Sequence, residues 1–499
     1  MPYDADVVVI GSGAGGATFA YSCARAGKRV LLLERGRRFG RDEHPLDERA
    51  MLIDKQPYDN RTIDVNGAPK QLYIGGVLGG GTALYGAALL RPTPADFSPG
   101  RHYSGHLPHH LWDWPIGYED LEPHYSEAER LFGVAGSAEE SFGPLPKPRH
   151  GYPLRPLPLH PVNERLMAAS RDAGLHPFHL PLAIDPEACQ RCHACAGHIC
   201  PTGARRGSAH LVDDALEEKL AIAVRTGVEA EEFERDGTGR IVGIRTVDRA
   251  TGQRTVFRAR RYALAAGAVA SPLLLLRSGI DSPQLGRNYM AHLSPIAVGI
   301  FPCRQDAAQS FVKQVGFTDY YFGAKWFPHK MGLVQSLPVP GPLMTAKSLP
   351  RFLPKRLQET LRQRLLPLAG IIEDLPNPTN RVFWGADGKP QLQYRYSAYD
   401  KERGQWLGRL MARILKNAGA WLCHLKQFAS DEHMAHQCGT IRFGIDPRHA
   451  VLGSDCRLFG HDNLFVVVGS FFPTSLGVGP ALTIAANALR IAAIASREM

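Results

Sequence analysis

At 499 residues the chain exceeds what one ordinary hydrophobic core organises, so two domains or one large fold with insertions is expected. Hydrophobic residues make up 44% and charged residues 21%, a globular balance that excludes a disordered or fibrous chain. No apolar run approaches the roughly 20 residues a membrane-spanning helix needs. The net charge of +10 is spread without Lys/Arg tracts or interleaved aromatics. It therefore speaks for a soluble surface with anion-binding spots, and no nucleic acid partner is expected. The N-terminus lacks a basic start, an apolar stretch and a cleavage site, which points to a cytoplasmic protein.

In chain order, Asp6-Val7-Val8-Val9-Ile10 is a continuous apolar run of the kind that forms a strand buried on both faces of a parallel sheet. Gly11-Ser12-Gly13-Ala14-Gly15-Gly16 follows, then a helical stretch over 17–26 and a second strand over 29–33 ending at Glu34. Strand, glycines, helix, strand and acid stand in the register of a dinucleotide grip. Gly11 permits the tight turn, Gly13 lets the backbone approach a pyrophosphate, and Gly16 lets helix and strand pack closely. The helix N-terminus offers unpaired N–H groups to the phosphates, and Glu34 is placed to accept both ribose hydroxyls. NAD and FAD both suit this unit. A second glycine-rich loop, 75–82, carries Gly80, Gly81 and Thr82 and suits backbone contact with a flat or phosphorylated ligand.

Residues 101–160 are rich in His and Pro around Trp112, Trp114 and Tyr118, and read as an irregular covering segment in which only 119–131 has helical periodicity. Cys189, Cys192, Cys195 and Cys200 then pack four of the nine cysteines into a short loop. An odd total with no export signal argues against a disulfide framework and towards ligation at this group. The spacing is close to a ferredoxin-like run with its fourth Cys one residue late; structural zinc and unliganded thiols are the other readings. Residues 262–279 read strand, glycine turn at Gly267, helix. Between 352 and 365, Phe352, Leu353, Leu357, Leu361 and Leu365 recur near helical spacing among Lys355, Arg356, Arg362 and Arg364. This is either a lid or dimer helix that buries its leucines, or a helix making peripheral membrane contact. The last segments are a strand over 463–470, with Gly469 and Ser470 at its end, and a helix from about 480 to 494.

These segments, in this order, resemble the glucose–methanol–choline (GMC) oxidoreductase family. The resemblance is carried by Gly267 to Gly279, by Glu373-Asp374-Leu375-Pro376 through Asn380-Arg381-Val382, and by His436-Gln437-Cys438-Gly439-Thr440. It implies an FAD enzyme that oxidises alcohols. The implied fold is α/β, a Rossmann-like FAD-binding domain with a second, α+β substrate domain built on an antiparallel sheet. The implied boundaries are 1–100, 165–300 and 430–499 for the FAD-binding domain, 101–164 for the covering segment and 300–430 for the substrate domain. The cofactor-binding set becomes Gly11, Gly13, Gly16, Glu34, Gly80, Gly81, Thr82, Val228, Gly267, Gly469 and Ser470.

Alcohol oxidation needs a base for the hydroxyl proton while the flavin takes the hydride. The resemblance puts that role on His436, with His433 as a local competitor. The sequence departs from the family in three places. The usual second catalytic His or Asn falls on Gly479, an Asp before the final Gly-Ser is Val468, and a loop position often held by Asn or His is Tyr85. Either His436 acts alone, or Tyr85 or His292 substitutes, or the activity has drifted. The closest resemblance is to bacterial members acting on sugar-like or amino-sugar alcohols. If the cysteine group holds an iron–sulfur cluster, electrons leave through it to an acceptor protein or a quinone. The rival functions are a flavin and iron–sulfur electron carrier, and a flavoenzyme acting on a lipid or terpenoid.

Overall fold

In the computed structural model, which describes residues 3–192, 194–426, 434 and 436–499, the strand Ala5–Ile10 lies at the centre of a five-stranded sheet. It pairs in parallel with Val30–Glu34 on one side and Ala259–Leu264 on the other. Ile222–Thr226 and Leu464–Val466 extend the two sides, again in parallel. Residues 7–10 and 30–34 are buried on both faces, which is why they read as unbroken apolar runs. Parallel neighbours need a crossover, and the helix Ala14–Arg25 supplies it. That helix packs on the C-terminal helix Ala481–Arg497, so the two ends of the chain share one layer.

A second, six-stranded sheet runs in the order Leu422–Lys426, Ile296–Ile300, Leu365–Ile372, Gly332–Ser336, Val315–Phe317 and Phe178–His179. All its pairings are antiparallel. The helix Ala398–Asn417 packs against three of these strands. Its start is fixed by Ser397 and Asp400, each side chain bonded to the other's backbone N–H. A four-stranded sheet joins Thr62–Val65 and Ala68–Gln71 to Arg381–Trp384 and Pro390–Gln393. A three-stranded meander is formed by Val228–Arg235, Ile241–Asp248 and Arg254–Phe257. The architecture is the α/β fold expected: a Rossmann-like parallel sheet beside an antiparallel one.

Within 101–160 the long helix is Tyr118–Leu131, one residue earlier than its periodicity suggests. It is held by the buried Arg91, whose guanidinium pairs with Glu129 at 2.7 Å and Glu122 at 3.2 Å. Trp114 sits edge-on to Phe97, Phe443 and Phe472, which pins the irregular chain on the parallel-sheet side. The leucine stripe at 352–365 is not one helix. The helix spans only Lys355–Arg362, and Leu365 opens a strand paired with Ile300. Cross-strand pairing overrides the helical spacing there, and Phe352 and Leu357 are left 86% and 51% exposed.

A fully buried charge cluster lies beside the antiparallel sheet. Lys330 pairs with both Asp96 and Glu373, while Arg403 bonds Asp400, the carbonyls of Lys330 and Glu373, and the hydroxyl of Tyr103. Burial pushes the Glu373 carboxyl up, but the Lys330 ammonium beside it holds it below its ordinary range. Replacing Lys330 by Met leaves two carboxylates buried without their cation. It should cost about 3–5 kcal/mol of stability in denaturant unfolding; a loss below about 1 kcal/mol would show that the cluster does not hold this region together.

Candidate active site

At the adenosine end, the glycines have distinct jobs. Gly11 has φ +100°, and a Cβ there would lie 2.4 Å from the carbonyl oxygen of Ala265. A Cβ on Gly16 would lie 1.9 Å from Gly11 O, and one on Gly15 only 1.5 Å from Val467 O. Gly15 was not among the residues predicted; its need comes from the distant C-terminal strand, which local spacing does not show. At Gly13, Gly81 and Gly267 a Cβ would meet no protein atom within 4 Å, so their backbones face open space. Gly80 brings the second glycine loop onto the first, its ideal Cβ lying 3.1 Å from Gly13 Cα. The helix Ala14–Arg25 begins with no side-chain cap and no acid in its first turn. Its first N–H groups are not taken by a side-chain cap, which suits this helix start to an anion.

Glu34 closes the strand and is buried. Its Oε2 accepts from Ser12 N at 3.0 Å and Ser12 Oγ at 2.6 Å, and its Oε1 accepts from Gly36 N at 2.6 Å. Burial pushes its carboxyl up, opposed by these bonds. Ser12, also unpredicted, accepts from Gly79 N at 2.9 Å and so ties the acid to the second glycine loop. Val228 is brought to this end by Gly227, whose N–H donates to Gly36 O at 3.1 Å. Thr82 is used differently from expectation. Its hydroxyl lies 2.8 Å from both Gly79 O and Ser208 Oγ and accepts from Ser208 N, so it anchors the helix Ser208–Glu217.

At the other end, residues 437–441 run along the turn Gly469–Phe471. Gly439 N donates to Gly469 O at 3.3 Å, Ile441 N to Ser470 O at 3.0 Å, and Thr440 Oγ1 to Ala268 O at 2.7 Å. Thus His-x-x-Gly-Thr, Gly267 and Gly469-Ser470 meet at one place. On its other side this segment pairs with 286–290. Met290 and Cys438 exchange both backbone bonds, which puts His292 opposite His436 on one face. Their Nδ1 atoms lie 2.9 Å apart, and His292 Nε2 is 2.8 Å from Leu476 O. Burial pushes His292 down to about 4. An ideal Cβ on Gly479 would stand 3.7 Å from His436 Nε2 and 3.9 Å from Ala88 O. The missing second side chain would therefore have faced His436. Tyr85 does not replace it, since its hydroxyl donates to Arg206 O at 2.7 Å. His433 lies outside the described residues.

The four cysteines give no support to the metal readings. Among the described residues no group of three or more His, Cys, Asp and Glu is arranged to hold a metal ion. The sulfurs serve the loop instead: Cys189 accepts from Arg191 N and Cys200 from Arg205 N, each at 3.4 Å. The loop is wrapped on Arg205, which donates to the carbonyls of Ala83, Tyr85, Cys195 and His198. Burial pushes the Cys195 thiol up to about 12. A guanidinium satisfying four carbonyls gives this irregular segment its frame.

The GMC oxidoreductase family models match residues 5–294 and 376–488. The chain belongs to this family. Curated relatives include the 6'''-hydroxyparomomycin C oxidase of Streptomyces lividus, 33% identical over 98% of this chain and 91% of that protein. The paromamine 6'-oxidase of Streptomyces fradiae is 30% identical, covering 98% and 90%. The fructose dehydrogenase large subunit of Gluconobacter japonicus is 26% identical, covering 98% and 97%. Among solved structures, pyridoxine 4-oxidase from Mesorbium loti superposes with a TM-score of 0.69 at 19% identity, covering 98% of this chain and 99% of that one. At that identity the likeness establishes the fold.

This GMC oxidoreductase is therefore an FAD-dependent enzyme acting on CH–OH donors. Its residues fit the cofactor. Gly13, Gly81 and Gly267 leave backbone clear of any neighbouring protein atom, and the uncapped helix suits a pyrophosphate. Glu34 keeps acceptor capacity for a ribose beyond its three protein bonds. The two kinds of glycine separate by substitution. Gly13→Ala should fold with wild-type circular dichroism yet weaken FAD binding about tenfold or more, because the methyl enters the ligand's space. Gly15→Ala should fail to give soluble, folded protein. A Gly13→Ala protein with wild-type FAD affinity would remove Gly13 from the binding set.

Proposed function

We propose that the chain oxidises a hydroxyl group of a sugar-like or amino-sugar alcohol to a carbonyl, with His436 as the base. The observation that carries this reading is the place of His436. It begins the segment that meets Ala268 and Gly469-Ser470, with Nε2 turned towards the position that Gly479 leaves without a side chain. Bound FAD supplies the hydride acceptor. The protein's own part is to orient the hydroxyl against Nε2 and take its proton.

The substrate class is supported by relatives whose names give hydroxyparomomycin, paromamine and fructose as substrates. The absence of a side chain at 479 also favours a bulky, ring-shaped alcohol over a small one, since it widens the space beside His436. A second half-reaction returns the electrons to an external acceptor. The lipid reading gains nothing from the stretch at 352–365, which supplies only a short helix.

The test is anaerobic. Polyhydroxylated sugars and aminoglycosides should bleach the bound flavin, whereas sterols and prenyl alcohols should not. In His436→Ala the rate of that bleaching should fall about 10²–10⁴-fold while FAD content is unchanged. A His436→Ala protein reduced at the wild-type rate would end the assignment of His436 as base.

A further inference from the structure

We propose that His292 is a positioning residue that fixes His436 as its Nδ1–H tautomer and so places the basic lone pair on Nε2. The inference rests on the reading of His436 as the base and concerns how that base is prepared.

Three observations lead to it. First, the register is set by backbone. Met290 and Cys438 exchange N–H···O bonds at 3.0 and 2.9 Å, and two residues further along each segment His292 and His436 face each other. The rings stand nearly perpendicular, 86° apart, with Nδ1 aimed at Nδ1. Second, the direction of the bonds follows from what each atom can do. Leu476 O only accepts, so His292 Nε2, at 2.8 Å, carries a proton. Burial keeps His292 neutral at ordinary pH, so it has a single N–H and its Nδ1 can only accept. The proton between the two Nδ1 atoms then belongs to His436. A neutral His436 with Nδ1–H has its lone pair on Nε2, the nitrogen that faces Gly479. Third, both partners of His292 are held in the left-handed region, His436 at φ +63° and Leu476 at φ +66°. Non-glycine residues are kept there only where surrounding bonds over-determine them.

The proton balance is simple. The substrate O–H bond breaks and its proton goes to His436 Nε2. The neighbouring C–H bond breaks as the C=O bond forms, and bound FAD would supply the acceptor for that hydride. The resulting imidazolium keeps its Nδ1–H bonded to His292, and that neutral acceptor stabilises the positive charge. Glu373 and Lys330 act on His292 with opposite signs, and Asp374 accepts from Ala291 N next door. His292 thus supplies a defined acceptor in a site where Tyr85 and Gly479 contribute none.

Two conservative variants separate this role from simple packing. Asn at 292 places its Oδ1 near the position of Nδ1 and can accept from His436. Gln reaches instead to the position of Nε2 and can keep the bond to Leu476 O. Flavin reduction by substrate is measured anaerobically against pH, normalised to FAD content. His292→Asn should stay within about threefold of wild type. His292→Gln should lose about a hundredfold in the reduction rate with substrate affinity unchanged. Its acid limb should move to lower pH, because an imidazolium without its acceptor gives up a proton more readily. A Gln variant as fast as the Asn variant, or an unmoved acid limb, overturns the proposal. Should either variant not fold, the wild-type protein decides. In 15N-histidine spectra, with the His436 signals identified by their loss in His436→Ala, Nδ1 should be protonated and Nε2 not; the reverse overturns the proposal. A His436→Ala protein that reduces its flavin normally would instead refute the base assignment itself.

Discussion

The contact on which the rest depends is the one between the first glycine loop and the ends of the parallel strands. Gly15 lies against the carbonyl of Val467 and Gly16 against that of Gly11, each closer than any side chain would allow. This approach sets the helix Ala14–Arg25 hard against the sheet and points its uncapped N-terminus outward. It also fixes the last strand relative to the first, because Val467 belongs to the chain that continues into Gly469-Ser470. The first and last strands are thereby held to one geometry by residues more than four hundred positions apart. Glu34 and the turn Gly469–Phe471 are both extensions of strands that this contact aligns.

From there the second layer of the site follows. Residues 437–441 are bonded on one side to the 469–471 turn and on the other to 286–290, so His436 is placed by two ladders at once. His292 enters from the second ladder. It is the polar neighbour of His436 that the topology supplies where the family's usual partner position has become Gly479. A similar economy is seen in the cysteine loop, which Arg205 organises through four backbone carbonyls. Both cases place polar groups by satisfying buried backbone acceptors, whose burial without a partner is costly.

Much of this was legible in the sequence, for a physical reason. The unit over residues 6–34 is local: apolar run, glycines, helix and acid are contiguous, and the structure forms them in that order as strand, tight turn, helix and strand, with Gly11 at φ +100° and Gly16 packed on Gly11 O. What escaped was non-local. Gly15 and Ser12 matter because of Val467 and Gly79, which no spacing within the first segment reveals. The leucine spacing at 352–365 looked helical, yet Leu365 is taken by the strand ladder with Ile300. The thiol spacing left iron–sulfur, zinc and unliganded thiols open, and it could not show that Arg205, later in the sequence, frames the loop through its carbonyls. His292 was visible only as one of several substitutes for the missing catalytic group, because its place opposite His436 comes from the register of Met290 on Cys438.

The backbone around the reactive centre shows how such a register is kept. Ala87, His436 and Leu476 all have positive φ, and each costs about 1–2 kcal/mol relative to ordinary backbone. Each lies in or against a segment tied by hydrogen bonds: Ala87 O accepts from Ala183 N, His436 is joined to His292, and Leu476 O is held by the same imidazole. If the ring of His292 were absent, His436 and Leu476 would each lose a hydrogen bond made to it. Strain at His436 and hydrogen bonding by its neighbour are therefore one device. The cost lies in the backbone of His436 and Leu476, and on the proposed reading of His436 as base the bond to His292 would turn it into a fixed orientation for Nε2.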